Sequence, residues 1–569
     1  MDRFEVWAPN ASNVALHLDG TSHPMQPAER EWWVSSIQPA DGQRYAFSLF
    51  DGSSWTTPLP DPRSRFQPDG VHGPSEVYDR EYDWSDTEWR GVELRDQVQY
   101  ELHVGTFTPQ GTFAGVAEKL PYLAELGVNA IELMPVQPFP GARNWGYDGV
   151  MWHAVHAAYG GPDELKTLVD AAHAHGIAVI LDVVYNHFGP EGNYTGAFGP
   201  YTTPGQTGWG DAVNIAGPGS DEVRAYILDA VRQWLDEFHI DGLRLDAVQA
   251  YDDRRAFSIM EEIRGVADEI AEATGIPRTI VGESTQDDPR IVSPREVGGY
   301  GLDGQWLFDF DHALHALLTG ERRGHHVDYG SVAELADVLE HGFHFRDTYS
   351  EFYRCTHGRA LDFAQVKPWQ MVVYTTNHDE TGNRPYGDRP DRGDAHAEAK
   401  LALRAALMLL GPFTPMLFMG EEFGATTPFP FFISHSDEQA LSDARNGRAG
   451  WFASDGWPDG MADPADPATF ESAKLEWSEQ DLPLAQVYRD LIALRREHGI
   501  AREDLRGIVV KHDAPWLTVG DERTVLAANF SDDEATVPVS GELVYGRGDV
   551  DEAGTRLGPW GFALLSQRR

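Results

Sequence analysis

Arg244 and Asp246 stand two residues apart at the end of a short apolar segment, Ile240 to Leu245. Side chains alternate along a strand, so Leu243 and Leu245 point one way and Arg244 and Asp246 the other. A cation beside a carboxylate at a strand end fits a structural salt bridge, and it also fits a carboxylate held ionised by its arginine. Other segments bring similar groups to similar places. Ile177 to Val184 is an almost wholly apolar strand that carries Asp182 and is followed by Asn186 and His187. Ile280-Val281-Gly282 is followed by Glu283, and Met371 to Tyr374 by Asn377, His378 and Asp379. Four strand ends thus carry carboxylates, an arginine and two histidines. A catalytic centre at one rim explains that concentration better than isolated structural pairs do.

Paired carboxylates in such a place fit glycoside cleavage, where one protonates the leaving oxygen and the other attacks the anomeric carbon or activates water. Asp246 suits the nucleophile, because Arg244 can keep it anionic. Glu283 follows an apolar run and has carboxylates nearby, which favours the protonated form needed in a general acid. Asp379 is a third carboxylate that could grip two sugar hydroxyls and stabilise an oxocarbenium ion. Retention of configuration requires the Asp246 and Glu283 carboxyls about 5–5.5 Å apart, whereas about 9 Å would mean inversion.

The elements that must hold these groups follow one rhythm. From Val98 to Met419, strands alternate with helices such as Pro162 to His175, Asp221 to Phe238 and His396 to Leu410; Ala114 to Leu126 also has helical spacing. About eight strands in that alternation point to a (β/α)8 TIM barrel, whose sites lie at the C-terminal ends of its strands. Before it, short alternating segments with Asp19-Gly20 and Asp51-Gly52 turns read as an N-terminal β-sandwich, followed by a Pro-rich connector from Thr57. After a last helix, Leu484 to His498, alternation resumes from Gly507 in a small C-terminal β-domain. The expected domains are 1–95 (sandwich and linker), 96–500 (barrel with loop insertions) and 501–569 (C-terminal β-domain).

The formal net charge of −45 argues against nucleic acid and anionic membrane as partners and permits a neutral sugar. No apolar run is long enough to span a bilayer, and the first residues lack the pattern of a signal peptide. Cys355 is the only cysteine, so no intramolecular disulfide forms, which fits a reducing cytoplasm. No metal site or cofactor is expected. His173 and His175 read as complements to a helix C-terminus, and His325-His326 as a solvated loop pair. Gly299-x-Gly301-x-x-Gly304 matches a dinucleotide fingerprint but neither follows a clear strand nor opens a helix.

Asp182-x-x-x-Asn186-His187, Gly242-Leu-Arg244-Leu-Asp246-Ala247, Glu283 after its apolar strand, and Asn377-His378-Asp379 resemble, in order, the four signature regions of the α-amylase family, glycoside hydrolase family 13. Trp7-Ala8-Pro9-Asn10-Ala11 resembles the start of the glycogen-binding-type sandwich found in branching, debranching and trehalose-releasing members. Asn144 to Gly149, Gly189 to Tyr194, Trp209 to Asn214, Gly298 to Trp306 and His312 to Glu321 resemble the trehalose-releasing members most closely. Gly282 to Asp288 departs from their pattern, which bears on contacts with the leaving group.

The resemblance implies a retaining α-glycosidase with Asp246 as nucleophile, Glu283 as acid/base and Asp379 as transition-state stabiliser. It implies that Arg244 orients Asp246, that His187 and His378 bind hydroxyls of the attacked glucose, that Tyr147 stacks beneath that ring, and that Asp182 braces the centre. Asp148 joins the substrate contacts, and Asp303, Gln305 and Trp306 are candidates for the trehalose side. The implied substrate is an α-glucan oligosaccharide with a terminal trehalose, cut at the adjoining α-1,4 bond, with functional pairing to a maltooligosyltrehalose synthase. A branching or debranching enzyme, or a non-catalytic α-glucan-binding protein, remains as an alternative at this level.

Overall fold

The computed structural model describes residues 3–206, 210–390, 394–480, 483–498 and 504–567. At its centre eight parallel strands close into a barrel. They are β1 (Gln99–Leu102), β2 (Ala130–Leu133), β3 (Ala178–Val183), β4 (Gly242–Leu245), β5 (Thr279–Gly282), β6 (Gly304–Trp306), β7 (Met371–Val373) and β8 (Thr414–Phe418). Every residue of these strands is buried, as strands sandwiched between a packed lumen and an outer layer of helices must be. β8 pairs with β1 through Phe418 and Glu101, and that pairing closes the ring.

Register decides which side chains meet. Asp182 lies level with Arg244 across β3 and β4, and Leu245 lies level with Gly282 across β4 and β5. The next residues, Asp246 and Glu283, therefore leave adjacent strands at the same height. Their backbone amides continue the ladder, donating to the carbonyls of Val183 and Leu245.

The helices begin and end where local chemistry directs. α1 (Gly161–Ala174) has Pro162, Asp163 and Glu164 in its first turn, where a missing N–H costs nothing and negative charge meets the helix dipole. α2 is Ser220–Arg232. α3 (Ile259–Thr274) starts from a Ser258/Glu261 capping box and stops at Gly275, whose φ is 72°. α4 (Phe308–Thr319) leaves β6 almost directly. α5 (Ala397–Leu410) and α6 (Pro483–His498) follow β7 and β8 and pack against each other.

Two expected helices are interrupted. The span Ala114 to Leu126 forms two pieces, Phe113–Ala117 and Leu120–Leu126, because Pro121 has no N–H to give the Ala117 carbonyl. The span Asp221 to Phe238 is α-helical only to Arg232, and Gln233–Glu237 widens into a π-turn before His239, whose φ is 52°. His173 is more than a dipole complement. It is buried and bridges Asp86 and Asp241 at 2.8 and 2.9 Å.

The N-terminal region carries a three-stranded sheet containing Glu5–Trp7 and a four-stranded sheet containing Asn13–Leu18 and Arg44–Phe50. Arg63 and Arg65 tie it to the barrel through ion pairs with Asp229 and Glu237. The C-terminal region is a five-stranded antiparallel sheet with a three-stranded one beside it. Tyr545 links it to α6 by donating to Asp490 at 2.9 Å. Among the described residues no helix is long and apolar enough to cross a membrane.

Candidate active site

Arg244 is the hub. Its side chain is fully buried, and Nη1 donates to both oxygens of Asp182 at 2.9 and 2.8 Å and to Oδ1 of Asp246 at 2.7 Å. Nη2 lies 2.9 Å from Oε2 of Glu283. The guanidinium carbon stands 4.3 Å from the centre of the Trp306 ring, which fixes its plane from below. One cation thus faces three carboxylates in a buried site, so full ionisation of all three is unfavourable.

Protonation follows from that imbalance. Burial, reinforced by Asp246 and Asp379 and only partly offset by Arg244, pushes Glu283 up to about 8. Burial also pushes Asp182 to about 6, with Asp246 adding to the shift and Arg244 and Tyr147 opposing it. Deeper in the lumen, burial together with Glu101 and Asp182 drives Glu132 well above the usual carboxylate range. At neutral pH Glu283 therefore holds a proton where one can be given away.

Backbone and amide groups aim the pair. Asn186 Nδ2 donates to the main-chain oxygen of Asp246 at 3.0 Å and to its Oδ2 at 2.7 Å. The Ala247 amide donates to Glu283 Oε2 at 2.7 Å. Ala247 has φ 42°, a left-handed conformation that costs a non-glycine residue of order 1–3 kcal/mol and turns this amide toward Glu283.

Asp379 stands on the open side. Its side chain is 32% exposed, against 13% for Asp246 and 8% for Glu283. Asn383 donates to its Oδ1 at 2.9 Å, and His378 Nε2 lies 3.6 Å from the same oxygen. His378 in turn gives its amide (2.9 Å) and its Nδ1 (2.5 Å) to Glu101. Burial disfavours its charged form, but Asp379 and Glu101 outweigh that and raise its pKa to about 9. His378 is therefore an imidazolium, with Nε2 facing Asp379.

The other expected contacts divide. Tyr147 donates to Asp182 Oδ2 at 2.5 Å and stacks on His378 at 5.0 Å between ring centres, half-buried beside the carboxylates. His187 joins the same group, its Nε2 at 3.1 Å from the Tyr147 carbonyl and its Nδ1 at 2.5 Å from Asn186 Oδ1. Asp148 accepts from Asn144 at 2.5 Å and faces His435 at 3.3 Å, at the edge of the group.

The expectation for Asp303, Gln305 and Trp306 on the trehalose side is corrected. Asp303 sits at the foot of β6, where its Oδ2 takes bonds from Arg264 and the Ile280 amide, each 2.7 Å long. Gln305 alternates with the lumen-facing Gly304 and Trp306, so its buried side chain points toward the helices. Trp306 is fully buried beneath Arg244 and supports the guanidinium from the barrel interior. The physical reason is position: Asp303 precedes β6 and lies at its foot, while alternation along the strand leaves Gln305 on the helix side and Trp306 under Arg244.

Several contributors escaped sequence reasoning. Glu101 and Glu132 were visible only as carboxylates inside short strands. Asn186 and Ala247 were visible as members of motifs without roles. Arg448, on the helix Glu438–Ser454, donates to the Gly382 carbonyl at 2.9 Å and to Asn383 at 3.2 Å, and so braces the turn that carries Asp379. Nothing in its sequence surroundings marked it. His325 and His326 are not a solvated pair: their rings stack on those of His312 and His315.

This geometry sets a carboxylate beside a cation, a protonated carboxyl on the neighbouring strand and a third carboxylate against an imidazolium. That division of labour is the one glycosidic bond cleavage needs. The model of the alpha amylase catalytic domain matches residues 71–199 and 219–504, and a domain of unknown function (DUF3459) matches residues 507–564. The chain is 46% identical over 546 residues to the malto-oligosyltrehalose trehalohydrolase of Rhizobium sp. (strain M-11), covering 93% of this chain and 91% of that one. It is 42% identical over 579 residues to the malto-oligosyltrehalose trehalohydrolase of Mycobacterium tuberculosis (strain H37Rv), covering 99% of each. A crystal structure of a Salmonella typhimurium protein described as an alpha amylase matches with a TM-score of 0.91 at 35% identity, covering 100% of this chain and 97% of that one. The chain belongs to the α-amylase family of glycoside hydrolases and, within it, to the malto-oligosyltrehalose trehalohydrolases.

Proposed function

We propose that this enzyme hydrolyses the α-1,4-glucosidic bond beside the terminal trehalose of maltooligosyltrehalose, with retention, releasing trehalose and a maltooligosaccharide. The substrate follows from the names of the relatives. The mechanism rests on one observation above the rest: Asp246 and Glu283 leave adjacent strands at the same height and share Arg244. Neighbouring strands lie about 4.8 Å apart, close to the separation of about 5–5.5 Å that a retaining pair requires.

In the first step Glu283 gives its proton to the glycosidic oxygen as an Asp246 oxygen bonds to the anomeric carbon. The carbon–oxygen bond to trehalose breaks, and the maltooligosyl unit stays on Asp246. Water then loses a proton to Glu283 and attacks the same carbon, freeing the maltooligosaccharide and restoring both carboxyls. Asp379 and the His378 imidazolium hold hydroxyls of the attacked glucose, with Tyr147 as its platform and His187 and Asp148 at its margin. Asp182 and Arg244 brace and aim Asp246. We further propose the division into 1–95, 96–500 and 501–569, although the last boundary lies outside the described residues. The substrate demands an enzyme that converts the reducing end of a maltooligosaccharide into trehalose, so pairing with a maltooligosyltrehalose synthase is proposed, in a cytoplasm whose reducing state suits the exposed Cys355.

Two outcomes test this at the bench. Glu283 must be protonated to act as the acid, so kcat/KM should fall tenfold per pH unit above about 8. A profile from pH 5 to 10 without a bend near 8 would remove the assignment. Glu101 is a positioning residue that acts through His378. Glu101→Gln should lower kcat/KM by about 10- to 100-fold, the equivalent of about 1–3 kcal/mol for a broken charged hydrogen-bond pair. It should also lower the pKa of His378, seen as a shift of its imidazole resonance in a pH titration; an unmoved resonance would reduce Glu101 to packing.

A further inference from the structure

A second cluster of ionisable groups lies beside the cleft, and the hydrolytic mechanism does not use it. α4 presents His312 and His315 on one face, one turn apart. The turn Gly324–Asp328 folds back and lays two more imidazoles over them. His325 stacks on His312 with ring centres 4.2 Å apart, and His326 on His315 at 4.5 Å. Facing them is Glu380, the residue after Asp379. Its Oε1 lies 3.2 Å from His312 Nε2 and its Oε2 3.4 Å from His325 Nε2.

These separations have a particular meaning. A tetrahedral zinc ion with bonds of about 2.0–2.1 Å has ligand–ligand edges of about 3.3 Å. The candidate ligand atoms of His312, His325 and Glu380 all lie within 4.8 Å of one another. Small side-chain adjustments would therefore close three ligands on one ion, with a fourth position left for water.

Polar groups here also lack ordinary partners. Nε2 of His326 is shielded from solvent and makes no hydrogen bond, and the fully buried Asp311 faces the carboxylate of Glu380. Candidate atoms of Asp311, His326 and Glu380 also fall within 4.8 Å of one another. Leaving such groups unsatisfied costs about 1–3 kcal/mol each, and a cation would answer the two facing carboxylates at once. His315, Glu321 and His326 form another close set, but Arg384 at 3.0 Å and Arg323 at 3.3 Å already neutralise Glu321. Glu380 has only imidazoles as its ion-pair partners among the described residues. Imidazole and carboxylate ligands suit zinc, cobalt or nickel, whereas calcium and magnesium prefer all-oxygen sites. His325, with its side chain 31% exposed, opens the way in.

We propose that His312, His325 and Glu380 form a binding site for one divalent transition-metal ion of the zinc class, on the flank of the cleft one residue from Asp379. An ion there ties α4 and the turn Gly324–Asp328 to the short helix His378–Gly382 that presents Asp379.

The test is cobalt spectroscopy on the full chain after chelator treatment. Titration with Co2+ should produce visible d–d bands that saturate at one equivalent, and one equivalent of Zn2+ should abolish them while Ca2+ leaves them intact. His312→Ala and His325→Gln should lose the bands, and His175→Ala, a change at an exposed histidine, should keep them. His325→Gln alters a partly exposed side chain, so a cooperative melt of that variant certifies its fold if the buried His312→Ala does not fold. Absence of bands in the parent, bands that persist in folded His325→Gln, or displacement by Ca2+ would each overturn the proposal.

Discussion

Asp246→Asn is expected to lower kcat on maltooligosyltrehalose by about four orders of magnitude, about 5.4 kcal/mol of transition-state stabilisation. The amide cannot attack the anomeric carbon, so the two-step route closes. What remains is the acid, the imidazolium and the binding of the sugar. Stability should respond differently. The amide removes one negative charge from a buried group in which Arg244 still contacts Asp182 at 2.8 Å and Glu283 at 2.9 Å. The guanidinium keeps the Asp182 carboxylate and the Glu283 carboxyl as partners, and the excess of negative charge around it shrinks. The melting temperature of Asp246→Asn should therefore equal or exceed that of the parent. Were Arg244–Asp246 simply a structural salt bridge, breaking it would cost about 3–5 kcal/mol and the melting temperature would fall. Steady-state kinetics and a thermal melt on the same preparation separate the two readings: intact activity contradicts the nucleophile, and a large loss of stability contradicts the account of the charge balance.

Glu283→Gln should cost about 10²- to 10⁴-fold in kcat on the same substrate, and its signature is dependence on the leaving group. Trehalose departs through a sugar alkoxide that needs a proton. Fluoride departs without one. On an α-glucosyl fluoride the variant should therefore form the intermediate at close to the parental rate and then stall, because water also loses its general base. The expected trace is a burst of about one fluoride per active site followed by slow turnover. Azide, a nucleophile that needs no base, should speed the second phase. Equal losses on both substrates, with no burst, would show that Glu283 does not act as the acid. The basic limb of kcat/KM near pH 8 should vanish in this variant, since that limb belongs to the Glu283 proton.

Much of this centre was legible in the chain because Asp182, Arg244, Asp246 and Glu283 each stand at or just past the end of a buried strand. The run Ala178–Val183 reads as a strand covered on both faces, and Asp182 stands one residue from its end. Arg244, Asp246 and Glu283 are placed in the same way by their own strands. Other features depend on the closed ring. Glu101 and Glu132 sit in four-residue strands, where a carboxylate fits a solvent-facing position equally well until closure puts both in the lumen. The placement of Asp303, Gln305 and Trp306 came from resemblance alone, which does not reveal that Asp303 precedes β6 and that Gln305 and Trp306 lie within it. The histidine cluster was hidden for a different reason. His312 and His315 lie on a helix and His325 and His326 in a turn, and only tertiary packing stacks them. The same holds for Arg448, which reaches the Asp379 turn from a distant helix.

The central claim is that Asp246 and Glu283 cut the bond beside trehalose by double displacement. Proton NMR of maltotriosyltrehalose in the first minutes of hydrolysis, before mutarotation, tests it most directly. The account predicts free trehalose together with maltotriose whose new reducing end appears first as the α-anomer. First appearance of the β-anomer, or new α-1,6 linkages in place of free trehalose, would contradict it.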